Sequence, residues 1–105
     1  MHLGNLIARL ENDDDAADAL EALGDVVLFA RVCVIAQQFD ESPGAYVGGA
    51  ARRFAAVASS EDWLDLVGAL SRTSDPARAA LAKILAWSIA RDEEVVVAEG
   101  SELAA

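Results

Sequence analysis

Helix-start signals recur along this chain at short intervals, and each stands directly before an apolar stripe of helical period. Asn12 or Asp13 precedes Ala16, Ala19, Leu20 and Leu23; Asp25 precedes a long apolar run; Ser42-Pro43, Ser59-Ser60 and Asp75-Pro76 open three further segments. Side chains of these types accept hydrogen bonds from the free N–H groups of a first helical turn, and proline fits the first helical position because no bond is lost with its missing N–H. Gly24 is the natural stop of the helix that begins at Asn12 or Asp13, since glycine takes the left-handed conformation that closes helices without steric cost. A chain punctuated in this way forms short helices. The pattern predicts an all-α fold of five or six helices arranged as antiparallel hairpins.

The stripes fill in the elements. Leu3, Leu6, Ile7 and Leu10 fall at i, i+3, i+4, i+7 and predict a helix over residues 2–10. Residues 26–39 are apolar almost all round, and their β-branched content would also suit a buried strand. The run exceeds the usual strand and has helical neighbours on both sides, so helix is expected. The segment from Pro43 to about Ala58 is rich in small residues, among them Gly44, Gly48, Gly49, Ala50 and Ala51. Each glycine lowers helix stability by up to about 1 kcal/mol relative to alanine, so close packing against a neighbour must compensate. Trp63, Leu66, Val67 and Leu70 form the fifth stripe, and Ala77, Ala80, Leu81, Ile84, Leu85 and Ser88 the sixth, with Trp63 and Trp87 expected in the core between them. The last helix is expected to fade near Arg91. Residues 1–91 are then one helical domain and 92–105 an acidic, mobile tail.

Charge is unevenly distributed over the formal −10 of the chain. Glu11, Asp13, Asp14, Asp15, Asp18, Glu21 and Asp25 form one block without a base, and Asp92, Glu93, Glu94, Glu99 and Glu102 form another, while residues 26–91 carry seven bases against six acids. Such a surface is repelled by phosphate backbones and anionic lipids, which argues against nucleic-acid and membrane-surface binding and in favour of a basic protein partner. The single cysteine, Cys33, has no second cysteine to pair with and gives no sign of an oxidising compartment. No basic-then-apolar leader opens the chain, and its longest apolar stretch is broken by Arg31 well short of the roughly 20 residues that span a bilayer. A cytoplasmic protein is expected.

A shift of 60 residues superimposes Leu3 on Trp63, Leu6 on Leu66, Ile7 on Val67, Leu10 on Leu70, Asp15 on Asp75 and Ala19 on Ala79. Each segment reads as an apolar helix, a polar turn with Asp, then an alanine-rich helix, and the turn at residues 40–43 marks a looser middle copy. Through residues 6–13, residues 19–24 and Asp75-Pro76-Ala77-Arg78-Ala79-Ala80-Leu81, the pattern resembles HEAT-type helical repeats over most of residues 3–85. The resemblance implies a short array that serves as a protein-binding scaffold, in which a turn Asp and a nearby Arg pair along the stack; the alternative is a compact irregular bundle of five or six helices. Asp75 and Arg78 approach that arrangement with the spacing one short, Asp18 stands where an Arg would be wanted, and the middle hairpin has no clear equivalent.

Residues that could carry chemistry are sparse: one His (His2), one Cys (Cys33), one Lys (Lys83) and one Tyr (Tyr46). A lone imidazole one residue from the terminus cannot build a multi-histidine metal site. Cys33 lies in the most apolar segment, where cysteine behaves as a small hydrophobe. Asp13-Asp14-Asp15 lacks the alternating ligands and central glycine of a calcium loop. At least one of Arg52 and Arg53 must face outward, free to grip an acidic partner or the protein's own acidic blocks. No phosphate loop or catalytic triad is visible, so no enzyme activity, metal or cofactor is expected. The expected function is a bacterial adaptor, regulator or immunity-type inhibitor that binds a basic partner through Asp13, Asp14, Asp15 and Asp18. Two alternatives are a homo-oligomer joined through the Gly/Ala-rich fourth helix and a small-molecule carrier with an apolar pocket at Phe29, Cys33 and Trp87. The ending Leu103-Ala104-Ala105 resembles the degradation tags read by bacterial AAA+ proteases.

Overall fold

The computed structural model describes the backbone of residues 8–104 and the side chains of residues 8–95. His2 and most of the first expected helix lie outside the described residues; residues 8–10 are helical and end at a turn. Five helices follow: α1 (Asp13–Ala22), α2 (Val26–Gln38), α3 (Pro43–Val57), α4 (Ser60–Ser71) and α5 (Pro76–Ala104). No strand occurs among the described residues, and the fold is the all-α compact bundle expected.

The caps form where the side chains permit them. Asn12 Oδ1 accepts the N–H groups of Asp14 and Asp15, Asp25 Oδ1 that of Leu28, and Ser42 Oγ that of Ala45 ahead of Pro43. Ser59 and Asp62 exchange hydrogen bonds as a capping box, and Asp75 Oδ1 accepts Arg78 N–H. Gly24 closes α1 with φ +69°. Asp40 does the same after α2 with φ 56°, its N–H donating to the Gln37 carbonyl and the Glu41 N–H to that of Ala36, the bond pair of a Schellman turn.

Packing centres on α3 and α5. Helix α1 lies on α3; α2 rests on both α3 and α5; α4 lies against α5. The buried layer runs from Leu10, Ala16 and Leu20 through Val32, Ile35, Val47, Ala51 and Phe54 to Leu66, Leu81, Ile84, Leu85 and Ile89. The small residues of α3 permit the closest approach, because a Cβ on Gly44 would overlap the Asp13 carbonyl and one on Gly48 the Leu10 carbonyl. Phe54 joins three helices, its ring meeting Trp63 of α4 edge-on at 4.9 Å and Trp87 of α5 at 5.0 Å.

One boundary differs from the sequence expectation. Helix α5 does not fade at Arg91 but continues to Ala104. No proline interrupts this stretch, its Glu and Ala residues favour helix, and the β-branched valines lower that preference by only about 0.5 kcal/mol each. The stretch also starts from a fixed base, since Asp92 is bonded to α3 and Glu93 to α2.

Candidate functional site

All four aspartates singled out in the sequence lie on α1 and all are exposed. Asp13, Asp14 and Asp15 make its first turn, where carboxylates meet the positive end of the helix dipole. Their backbone is held firmly, since Asn12 ties down the N–H groups of Asp14 (2.9 Å) and Asp15 (3.1 Å) and the Asp13 carbonyl rests on Gly44. Asp18 and Glu21 follow toward the other end, with Glu11 before and Asp25 after, and all of them are exposed as well. Among the described residues none of these seven acids takes part in an ion pair; the two ion pairs join Arg31 to Glu93 and Arg53 to Asp92. Nor, among the described residues, do three or more His, Cys, Asp or Glu side chains gather to hold a metal ion.

A second cluster was not anticipated from the sequence. Tyr46 of α3, only 1% exposed, donates its hydroxyl to Asp92 Oδ2 at 2.5 Å and lies 2.9 Å from Ser88 Oγ, while Arg53 donates to Ser88 Oγ at 3.1 Å. The Arg53 guanidinium also stands 5.3 Å from the Tyr46 ring centroid and 3.6 Å from Asp92. Burial, followed by the bond to Asp92, pushes the Tyr46 phenol well above its ordinary range. Arg53, Ser88 and Asp92 of this cluster also line an open groove of about 520 Å³ between α3 and α5, together with Val57, Trp87 and Val95. Arg91 stacks on Trp87 at 4.8 Å, and the indole N–H donates to Asp62 at 3.0 Å. Asp62 is held below the ordinary carboxylate range, chiefly by the Ser59 backbone N–H it accepts, then by the Ser59 hydroxyl and the Trp87 indole.

Ser88 Oγ accepts from Arg53 and lies 3.4 Å from Asp92 Oδ2, to which it donates, and it is only 1% exposed. Its hydrogen bonds tie α3 to α5 across the core. One signal for this arrangement stood in the sequence: Ser88 is the one hydroxyl in the apolar stripe of the last helix. In the structure Arg53 is half-buried where Arg52 is exposed. Of the two arginines, Arg53 answers the protein's own C-terminal acids through Asp92.

No protein-family model, curated protein or solved structure matches this chain. Of the remaining sequence candidates, Phe29 and Trp87 line different hollows among the described residues. Phe29 lines a shallow depression with Leu20 and Val26, while Trp87 is turned toward α3 and α4 by Phe54 and Asp62. Cys33 is a half-buried free thiol. Asp75 caps α5, and the Arg78 guanidinium donates to the Leu23 carbonyl at the end of α1. No helix among the described residues is long and apolar enough to cross a membrane.

Proposed function

We propose that this chain is a non-enzymatic interaction module that presents the acidic face of α1 to a basic partner protein in a bacterial cytoplasm, as an adaptor, regulator or inhibitor would. The observation that carries this reading is the row of exposed acids, from Asp13 to Asp25, that meets no base among the described residues. A helix already fixed against α3 loses little entropy when its carboxylates are engaged, so their attraction for Lys and Arg is available to binding and sets the encounter rate. Over distances greater than about 8 Å that attraction is screened at physiological salt, which makes association salt-sensitive. The alternative of self-assembly through the Gly/Ala-rich helix draws less support, because Gly44 and Gly48 already receive the backbone of residues 10 and 13 within the chain.

Affinity capture from the native cytoplasm, comparing the wild-type chain with a variant carrying Asn at 13, 14, 15 and 18, tests the proposal. A basic protein retained by the wild type and lost by the variant, with helical content unchanged in circular dichroism, is the expected result. Equal retention by both chains removes the acidic face from the function.

A further inference from the structure

The outer face of α2 is the largest apolar exposure on a single helix among the described residues: Val26 is 81% exposed, Val27 71% and Val34 60%, with Ala30 exposed and Cys33 half-buried between them. We propose that two copies of this chain pair through this face, their α2 helices antiparallel and crossing at Ala30. The pairing does not depend on the acidic face of α1.

Two observations select a second copy as the occupant, and a third sets the strength of the pairing. First, the face is close to palindromic about Ala30: Val27 and Cys33 stand three residues to either side of it, Val26 and Val34 four. In a two-fold interface, where residue i meets the partner's residue j, residue j meets the partner's i in turn, so a crossing at Ala30 sets each residue beside the one equally far on its other side. In the antiparallel pair Val27 lies beside the partner's Cys33 and Val26 beside the partner's Val34, and the small Ala30 at the crossing lets the helices approach. Second, the face is uncharged in a chain of net charge −10. Arg31, the one charged residue within the segment, is engaged at 3.0 Å by Glu93 of α5. Two strongly acidic molecules can therefore meet here without apposing like charges, and antiparallel helix dipoles add a favourable contribution. Third, the face is short. A helix of 13 residues is about 20 Å long, too small to bury the roughly 800 Å² per partner of a standard interface. The pair is accordingly concentration-dependent rather than obligate.

Sedimentation of the full chain from micromolar to millimolar concentration tests the pairing. The weight-average mass is expected to rise from one chain toward two, and a Val27→Glu, Val34→Glu variant is expected to remain at one chain with its helical content intact, both side chains being exposed already. As an independent readout, Ala30→Cys in a Cys33→Ser background should form an intermolecular disulfide under mild oxidation at least tenfold faster than Val57→Cys in the same background, Val57 being 58% exposed on α3. A wild-type chain that stays monomeric throughout, a double Glu variant that dimerises equally, or cross-linking at Ala30 no faster than at Val57 would each overturn the proposal. So would finding that the face, in a monomeric chain, engages a different protein whose capture the double Glu variant loses.

Discussion

Replacing Gly48 with alanine should destabilise the fold even though alanine is the better helix former. In an open helix the exchange is worth about 1 kcal/mol in favour of alanine. At Gly48, however, a Cβ would stand against the Leu10 carbonyl oxygen, inside the 3.0 Å limit that real Cβ contacts observe. The obstacle is backbone, so no side chain can swing aside. Helix α1 and the turn before it would have to lift from α3, loosening the buried contacts of Leu10, Ala16 and Leu20. Overpacking of this kind costs typically about 1–3 kcal/mol, and a displaced backbone falls at the upper end, so a net loss of about 1–2 kcal/mol remains after the helix-propensity gain. Gly44→Ala, against the Asp13 carbonyl, should behave alike. Gly68 is the control, because its Cβ would meet only the end of the Arg72 side chain at 3.4 Å, and Gly68→Ala should stabilise by about 0.5–1 kcal/mol. Urea unfolding followed by circular dichroism resolves these differences, since a domain of this size is stable by only about 5–15 kcal/mol. A Gly48→Ala protein as stable as Gly68→Ala would refute the close contact between α1 and α3.

Tyr46→Phe removes the donor that Asp92 accepts at 2.5 Å and should cost about 1–3 kcal/mol in urea unfolding, because a part-buried carboxylate loses a partner. The same residue sets an alkaline limit. Its phenol is held protonated in the fold, whereas the unfolded phenol ionises near pH 10, so its stabilisation is complete below about pH 10 and is lost as the pH rises further. The stability difference between wild type and Tyr46→Phe should shrink above that pH, and a constant difference would contradict the assignment. Asp62 acts in the opposite range. Its lowered carboxyl pKa gives stability that is present above the unfolded value of about 4 and is lost as the pH falls through the folded one. Asp62→Ala should therefore lose part of the acid-induced fall in stability seen in the wild type between neutral pH and pH 3.

Much of the fold was legible because its instructions are local. Asn12, Asp25, Ser42-Pro43, Ser59 and Asp75-Pro76 cap the five helices in the structure, and each signal needs only the next three residues to act. The glycine-rich helix was legible as one that needs a close neighbour, although periodicity could not say that the neighbour is the backbone of residues 10 and 13. The end of α5 was misjudged because its support comes from residues distant in sequence: Tyr46 and Arg53 hold Asp92, and Arg31 holds Glu93. The Tyr46–Ser88–Asp92 cluster was missed for the same reason. Its members are 42 and 46 residues from Tyr46, and only Ser88, a hydroxyl in an apolar stripe, marked the place. Asp13, Asp14, Asp15 and Asp18 were readable as an exposed helical face because charge and period both belong to the segment itself.

The acidic face of α1 can be tested most directly by nuclear magnetic resonance. The isotope-labelled chain, titrated with a basic protein recovered by affinity capture, should show amide shifts concentrated between residues 11 and 25, and these should diminish as salt is raised. Shifts concentrated instead on the groove at Trp87 and Arg91, and insensitive to salt, would show that binding resides elsewhere and that the acids of α1 serve only to keep the domain in solution.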